Sequence, residues 1–475
     1  MASVKRNFLY SSILTSANYV FPLIVYPYVS RVLGVTNIGL CNFVDSIINY
    51  FILFSMLGIT TIGIREIASN QGDKEKQSRV FSSLLTLNFI TTVISITVLI
   101  IATCLVDKLR ENWDLMIVGG LKLFFNLFLI EWFYKGIENF KYITIRSIIV
   151  RTIYVITVFI FVKSREDVLF YYAATCLTIA LNSLFNILYS RKFVCFSIKG
   201  LTFRPFIASF FILGLYSLLT SMYTTFNVAF LGFTCDDDQV GYYATATKLY
   251  TILLSIYTAF TGVMMPRMSN LIATGQIDEF RRKLTMSLDI LIRFSIPIII
   301  FVMVCAPDLI WLLSGAGYEG AILPMRIIIP LILIIGYEQV LVMQTLMPCH
   351  ADKVIFINSC VGAAVGVVMN IALVGKLGAV GSSIVWVLAE CVILILSQIA
   401  VNKEIGLKFQ ALKILKTVVL FIPLFIFICV VNHYLRSPFI ALSVCALISG
   451  VYFMVANLKF IRDLINKRRL KNTIE

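Results

Sequence analysis

Eleven ionisable side chains interrupt the long apolar segments of this chain, and they are the residues best placed to do chemistry. A charged group at the centre of a membrane-spanning helix costs about 2.5–3.5 kcal/mol on insertion scales, so each one requires a partner, a water-filled cavity or a function. The cations are Lys122, Arg146, Arg151, Lys248, Arg293 and Arg326. The anions are Asp45, Glu131, Asp289, Glu338 and Glu390.

The cations predict a site for an anion. Their positions along the segments put Lys122, Lys248 and Arg326, with Arg31 at the edge, in the extracytoplasmic half of the membrane, where only Asp45 opposes them. Arginine and lysine in a partly dry cavity can donate charge-assisted hydrogen bonds to phosphate groups. Lys248 is the leading candidate, because its helix opens with small and polar residues; the alternative is an ion pair between Lys248 and Asp45. Arg31 and Arg326 could instead extend to the interface.

Three further cations have structural alternatives. Arg146 and Arg151 lie near the cytoplasmic end of their segment, where they either capture an anionic head group or extend to lipid phosphates. For Arg293, an ion pair with Asp289, four residues earlier on the same helix, is favoured over a substrate contact.

The acidic residues predict a coupling role. Glu131, Glu338 and Glu390 have no oppositely charged residue four positions away, apart from Lys135 after Glu131. An unpaired carboxylate in a low dielectric holds its proton more tightly, which suits proton or sodium coupling. We expect Glu338 to serve this role, with a hydrogen-bonded structural glutamate as the alternative.

Composition identifies the environment of these residues. Of 475 residues, 59% are hydrophobic and only 14% are charged, whereas soluble domains carry nearer 25% charge. The apolar runs have the length of about 20 residues that a helix needs to cross a bilayer. The predicted spans are 8–32, 36–62, 80–106, 114–134, 141–163, 168–190, 205–231, 240–265, 286–305, 323–347, 352–375, 379–400, 412–433 and 438–458. Spans 36–62 and 205–231 are long enough to be tilted or broken.

The net charge of +15 is mostly a topology signal. With a cytoplasmic N-terminus, 27 of the 40 Lys and Arg residues fall in cytoplasmic loops and seven in the loops of the other side. This asymmetry follows the positive-inside rule and places both termini in the cytoplasm. Basicity therefore gives no reason to expect nucleic acid as a partner.

Several kinds of site are excluded by composition. The 11 Cys residues form no C-x-x-C pair, and His350 and His433 are the only histidines, so we expect neither a metal centre nor a catalytic histidine. No phosphate-binding loop of the G-x-x-x-x-G-K-[ST] type occurs. The spans leave no room for a soluble catalytic domain, so we expect no enzymatic activity and no cofactor.

An internal echo predicts duplication. A Leu-Gly turn followed by an aliphatic-Gly pair occurs at residues 33–39 and again at residues 231–241. The echo falls at spans 1 and 7, which predicts two parallel six-helix bundles with a substrate path between them. The predicted units are a bundle over 1–204, a second over 205–400, and spans 13 and 14 with a basic cytoplasmic tail over 401–475.

Short motifs along the chain resemble a known family. They are residues 28–34 (YVSRVLG), 38–39 (IG), 63–68 (GIREIA), 240–248 (VGYYATATK) and 265–267 (MPR). These motifs, with the fourteen-span plan, resemble the Wzx-type polysaccharide-unit flippases, O-antigen flippases among them, of the superfamily that includes the multidrug and toxic compound exporters.

The resemblance implies a fold and a function. It implies a V-shaped all-α fold in the bacterial inner membrane and alternating access that moves undecaprenyl-diphosphate-linked oligosaccharide to the periplasmic leaflet. A polysaccharide polymerase and chain-length machinery would be its partners, besides the bilayer. The alternatives are an ion-coupled multidrug or cation antiporter of the same fold and, from another class, a membrane-embedded polymerase, ligase or acyltransferase. An antiporter of cations would require an acidic cavity to bind its substrates. A membrane-embedded enzyme would require a substantial extracytoplasmic loop to hold its catalytic residues.

Overall fold

A computed structural model of the chain describes residues 4–198, 200–222, 225–435 and 437–458. Throughout these ranges the regular structure is helical and no strand occurs, which confirms the predicted all-α fold. Lys199, Arg436 and the predicted basic tail from residue 459 lie outside the described residues.

Seventeen α-helices are described. They are α1 (Val4–Met56), α2 (Ile59–Ser69), α3 (Lys74–Leu105), α4 (Asp107–Glu111), α5 (Trp113–Asn126), α6 (Glu131–Gly136), α7 (Phe140–Phe161), α8 (Val168–Ser190), α9 (Arg204–Ser221), α10 (Thr225–Thr234), α11 (Asp237–Ala273), α12 (Ile277–Ser314), α13 (Ile322–Ile328), α14 (Leu331–Leu341), α15 (Asp352–Ile405), α16 (Ala411–Tyr434) and α17 (Pro438–Ala456). Short 3-10 turns cover Arg165–Asp167 and Glu319–Ala321, and a π-helical turn covers Val342–Leu346.

Among the described residues, 11 helical segments are long and apolar enough to cross a membrane. Two of them, Leu9–Met56 and Asp352–Ile405, have 48 and 54 residues, which is more than twice the length that a bilayer requires. Each contains a glycine outside helical geometry, Gly34 with φ 78° and Gly378 with φ 56°. Only glycine adopts such backbone angles readily, so each long segment is two crossing helices joined at a glycine. Counted in this way, and with α9 and α10 as one crossing, the segments match the fourteen predicted spans.

The two spans that were long enough to be broken are both interrupted. Span 36–62 ends as a helix at Met56 and resumes in α2 after Leu57, whose φ is 32°. Span 205–231 is divided between α9 and α10. Because no water satisfies a free backbone group in hydrocarbon, such breaks are tolerated only against protein or a water-filled cavity. At the first break, a Cβ on Gly58 would lie 3.0 Å from the Leu213 Cβ of α9, so protein covers it.

The described chain divides into two compact units. The first comprises the described residues up to Ala244 together with Gly366–Ser382, and the second comprises Thr245–Val365 together with the described residues from Ser383 onward. The predicted boundaries at residues 204 and 400 stay predictions.

The first unit has two apolar cores. One joins α2, α3 and α6 through residues such as Ile62, Phe81 and Phe133. The other joins α1, α7 and α8 through Val29, Val158 and Ala174.

The second unit packs α12 against α16 and α17. Ile292 and Ile296 of α12 share one core with Phe421 and Leu424 of α16 and with Cys445 of α17. Spans 13 and 14, predicted as additions to the repeat, are thus tied to α12 by buried apolar contact. Outward-facing residues of both helices remain apolar, as expected of a lipid-facing surface.

Candidate functional site within the membrane helices

Lys122 and Asp45 form an ion pair inside the first unit. The Lys122 ammonium donates to the Asp45 carboxylate, and the Tyr172 hydroxyl donates to the same oxygen over 3.4 Å. The approach of α5 to α1 is permitted by Gly119, where a Cβ would lie 2.5 Å from Ile48. Lys122 was predicted to line an open cationic cavity. In the structure Lys122 is buried and its charge is balanced by Asp45, the anion expected to oppose it, and its contact with substrate stays a prediction.

Arg146 joins a second buried network. Its guanidinium lies 2.6 Å from the Glu131 carboxylate and also donates to the Asn186 side chain. The Asn186 amide in turn donates to the Leu129 carbonyl, and its own carbonyl accepts from the Tyr134 hydroxyl over 2.5 Å. Only 4% of the Arg146 side chain is exposed. Extension of Arg146 to the interface is therefore contradicted, because its terminal nitrogens are bonded inside the protein. Its Nε has no hydrogen-bond partner among the described residues, and head-group capture stays a prediction.

A break in the fourth span positions Glu131. Helix α5 ends at Asn126, Ile130 has a φ of 24°, and α6 begins at Glu131 itself. The carboxylate thus stands at a helix N-terminus, where backbone N–H groups and the helix dipole favour negative charge. Its far oxygen lies 3.8 Å from the Lys135 ammonium one turn later.

Arg151 lies beside a polar cavity in the first unit. The cavity has a volume of about 400 Å³, and its ionisable lining residues are Arg151, Lys135 and Glu131. Arg151 donates to the Asn18 side-chain oxygen over 2.6 Å. The Asn182 side-chain oxygen, also in the lining, is buried without a hydrogen-bond partner among the described residues. Since Glu131 already balances Arg146, the cations around the cavity outnumber the anions.

On the predicted topology, this cavity would lie in the cytoplasmic half of the membrane rather than in the extracytoplasmic half. Ser11 and Asn18 of its lining belong to the N-terminal half of the first predicted span. Lys135 lies in α6, just after the fourth predicted span on the side predicted to be cytoplasmic. The predicted cavity was in the extracytoplasmic half. In the first unit, Lys122 is the cation predicted within a span of that half, and Asp45 neutralises its charge. Arg151 and Lys135 therefore make this cavity a candidate cationic site of the first unit.

In the second unit, Asp289 and Arg293 have cross-helix partners. The Lys413 ammonium of α16 lies 2.7 Å from the Asp289 carboxylate, and Arg293 donates to the Asn457 side-chain oxygen over 2.9 Å. The bonded partner of Asp289 in the described structure is therefore Lys413 rather than Arg293, which corrects the predicted local pair. Both contacts join α12 to helices that its apolar core already contacts.

The remaining predicted cations lie at separate places. Arg31 is exposed near the Gly34 turn and donates to the Pro27 carbonyl over 2.7 Å. Lys248 is half-buried on α11 and belongs to the second unit. Arg326 donates to the Met303 carbonyl over 2.9 Å and lines a separate cavity of about 480 Å³. Each of the three cations therefore stays a predicted candidate.

Glu338 and Glu390 form a carboxyl pair in the second unit. The two side chains lie close enough to interact electrostatically, and the Trp386 indole donates to Glu390 over 3.1 Å. The two residues stand 52 positions apart, and their proximity was not predicted from the sequence. No group of three or more His, Cys, Asp or Glu residues suited to a metal ion occurs in the described ranges.

Residues 4–272 match the family of polysaccharide biosynthesis proteins. The matched range is more than half of the chain. The chain therefore belongs to this family. The resemblance read from the short motifs is confirmed by the match, which spans motifs from YVSRVLG to MPR.

Relatives and solved structures extend the family match. An Escherichia coli (strain K12) protein named "Putative O-antigen transporter" is 24% identical over 398 residues, which cover 82% of this chain and 95% of the relative. A Shigella dysenteriae protein of the same name is 25% identical over 276 residues, which cover 56% of this chain and 68% of the relative.

Two solved structures share the fold. The inward closed conformation of the lipid II flippase MurJ has a TM-score of 0.79 at 15% identity and covers 96% of this chain and 99% of its own. An inward-facing multidrug resistance MATE family transporter of the MOP superfamily has a TM-score of 0.66 at 14% identity and covers 81% of this chain and 94% of its own. The chain is thus a multi-pass membrane protein of the MOP-like fold.

The sequence indicated only part of the polar networks described above. The charged members of each network were singled out from the sequence. Their neutral partners Asn18, Asn186, Tyr172 and Asn457 were missed. A signal existed, because asparagine within an apolar span also needs a hydrogen-bond partner.

Proposed function

We propose that this chain is a flippase that carries undecaprenyl-diphosphate-linked oligosaccharide units from the cytoplasmic to the periplasmic leaflet of a bacterial inner membrane. Three findings support the proposal: membership of the polysaccharide biosynthesis protein family, the O-antigen transporter names of two relatives, and a fold shared with MurJ. Alternating access of the two predicted bundles would deliver the unit, and both termini would lie in the cytoplasm, where the substrate is made.

The observation that carries the proposal is the placement of Arg151. Its described hydrogen-bond partner is the neutral Asn18, so its charge is not cancelled by an ion pair as that of Arg146 is. A diphosphate oxygen could take the place of Asn18 and accept a charge-assisted hydrogen bond, which is about twice as strong as a neutral one. Lys135, in the same lining, adds a second cation. Capture would thus begin in the half of the membrane that faces the cytoplasmic leaflet.

Transport assays on Arg151 variants test this role. Purified protein in proteoliposomes would be given a labelled lipid-linked oligosaccharide, and its arrival in the opposite leaflet would be timed. We expect Arg151→Gln to slow transport about tenfold or more, because one charge-assisted bond contributes roughly 1.5–3 kcal/mol. Arg151→Lys should retain part of the rate. Arg282→Gln, at an exposed arginine of α12, is the matched control.

The outcome also decides between functions. Wild-type transport by a well-folded Arg151→Gln variant would refute the assignment of the residue. If the wild-type protein delivers no lipid-linked unit but extrudes cationic drugs, the flippase proposal itself is refuted in favour of the antiporter. In cells, a deletion should leave the unit in the cytoplasmic leaflet, where polymerase and chain-length partners cannot use it.

The carboxyl pair is the proposed coupling site. A proton bound at Glu338 or Glu390 would let the two carboxyl groups lie side by side, and its release would leave two like charges in a low dielectric and favour a different arrangement of their helices. Transport by wild type should respond to an imposed pH gradient, and Glu338→Gln should remove that response. An unchanged response in the variant, or a response of wild type to a sodium gradient alone, would refute proton coupling at this pair.

A further inference from the structure

A groove on the lipid-facing surface of the first unit has no role in the proposed transport path. Its walls are Ile145 and Ile149 of α7 and Phe185 and Leu188 of α8, and it has a volume of about 620 Å³. All four side chains are exposed, with 51% of Ile149 accessible. Apolar side chains exposed on a membrane-spanning helix face acyl chains, so the α7–α8 groove is open to lipid.

Lysines mark one end of the groove. Lys141 is the second residue of α7 and Lys192 follows the last turn of α8, so the antiparallel helices bring both to the same end. Both side chains are exposed. Lys141 and Ile149 stand eight residues apart, which places the apolar walls within about 12 Å of the cations along the helix. This is the distance that separates a phospholipid head group from the deeper part of its own chains in one leaflet.

Stacked tyrosines form a fixed base beneath the lysines. The rings of Tyr142 and Tyr189 stack with centroids 4.1 Å apart, and the Tyr142 hydroxyl donates to the Phe185 carbonyl over 2.8 Å. The Lys192 ammonium lies 5.1 Å from the Tyr189 ring centre. Aromatic rings at this depth are typical of the membrane interface, where they hold a helix at a set level. The groove therefore exists before any lipid occupies it.

Charge selects the occupant. The ionisable side chains in the described lining are Lys141, Lys192 and Arg146 besides the two tyrosines, with no carboxylate among them. Arg146 is already paired with Glu131 beneath the surface, so the two lysines supply the charge that is left for a ligand. We propose that the α7–α8 groove binds one anionic diacyl phospholipid, with its phosphate between Lys141 and Lys192 and an acyl chain against Ile145, Ile149 and Leu188.

Such a lipid would support the buried network from outside. The Tyr142 ring that borders the groove also lies 5.8 Å from the Arg146 guanidinium, and Tyr189 packs near Tyr134, which donates to Asn186. An occupied groove would restrain the two tyrosines and, through them, the residues that hold Arg146 and Glu131 together. The expected consequence is that anionic lipid raises the unfolding temperature more than zwitterionic lipid does.

Lipid titration of the full chain tests the proposal. Native mass spectrometry would compare dioleoyl phosphatidylglycerol with dioleoyl phosphatidylcholine, since the two share their acyl chains. We expect tight binding of one phosphatidylglycerol, weakened about tenfold to thirtyfold in the Lys141→Gln/Lys192→Gln variant, because a lysine near a head group contributes roughly 1 kcal/mol. Lys74→Gln/Lys403→Gln removes two exposed lysines elsewhere and should leave this affinity unchanged.

Two further experiments test which lipid occupies the groove. Leu188→Trp fills the groove while keeping both lysines and should also weaken phosphatidylglycerol binding. Equal affinity in the double-lysine variant and in wild type would overturn the proposal, and so would full binding by Leu188→Trp. Displacement of phosphatidylglycerol by equimolar undecaprenyl phosphate would assign the groove to the substrate's carrier lipid instead. These readouts measure binding, so they stand apart from any failure of transport.

Discussion

Gly39 and Gly241 make matching close contacts, each with a backbone carbonyl oxygen near the other glycine. A Cβ on Gly39 would lie 1.8 Å from the Asp237 carbonyl oxygen, and a Cβ on Gly241 would lie 2.4 Å from the Val35 carbonyl oxygen. Each glycine therefore packs on the residue four positions before the other. Between them the Thr36 hydroxyl donates to the Asp238 carboxylate over 2.6 Å, across a separation of 202 residues. The two helix openings thus make reciprocal contacts within the first unit.

The same spacing relates a further pair of contacts. Asn37 donates to the Arg165 carbonyl over 2.7 Å, just before α8. Gln239 stands 202 positions later and accepts from the Ala379 N–H over 3.0 Å, just after the Gly378 turn. The internal echo therefore has a structural counterpart. The residues that correspond in the structure are 202 positions apart, as are the aliphatic-Gly pairs at residues 38–39 and 240–241. Gly232, the second glycine of the Leu-Gly echo, lies inside α10.

Substitution of either glycine should destabilise the protein. Gly39→Ala and Gly241→Ala each push a methyl group into a backbone carbonyl, which cannot turn away as a flexible side chain could. Overpacking of this kind costs about 1–3 kcal/mol. Thermal unfolding in detergent should show a lower midpoint for both variants. Gly375→Ala is the control, since nothing lies within 4 Å of a Cβ there. A Gly39→Ala variant as stable as Gly375→Ala would contradict the contact.

The Lys122–Asp45 pair should couple strongly in a double-mutant cycle. Asp45→Asn leaves the buried Lys122 charge without its partner, and Lys122→Met leaves the carboxylate alone. Removal of one member of a fully buried pair costs about 3–5 kcal/mol, whereas replacement of both is often nearly neutral. The Asp45 side chain is 35% exposed, so solvent screening reduces the loss expected here. We expect the double variant to unfold at a higher temperature than either single variant. Additive losses in the double variant would show that the two residues act independently.

Arg146 should be required for folding rather than for transport. Arg146→Gln removes the cation that faces Glu131, and Arg146→Lys keeps a charge but loses the planar fork that reaches Glu131 and Asn186 together. Both variants should lower the yield of monodisperse protein and the unfolding midpoint, with a loss of about 3 kcal/mol for Arg146→Gln. Arg151→Gln, whose described hydrogen bond is to Asn18, should keep both near wild type. The reverse order of stability would contradict the assignment of the two arginines.

The fold could be read from the sequence further than the site could. Apolar run length gave the crossing helices, and Leu33-Gly34 gave the first turn, because both signals are local. The partner of Arg146 is different: Asn186 lies 40 residues away on another helix, and which faces of two apolar helices meet depends on packing that no periodicity records. The Glu338–Glu390 pair was missed for the same reason. The depth of a charge along its own span could be predicted, but its partner across the interface could not.

Membrane orientation should be visible through a cysteine on the lysine-rich side. Cys195 is exposed in the loop after α8, and Lys163 is exposed in the loop before α8, so one membrane crossing separates them. In a variant that keeps Cys195 as its single cysteine, a membrane-impermeant maleimide should react in inside-out vesicles and not in intact spheroplasts. A cysteine-free variant with Lys163→Cys should give the opposite result. The basis is the excess of Lys and Arg in the loops that share the side of Cys195, which the positive-inside rule places in the cytoplasm. Reaction of Cys195 in spheroplasts, with protection of the residue 163 thiol, would show the inverse topology. The Arg151 cavity would then lie in the periplasmic half, where it could not receive a substrate made in the cytoplasm.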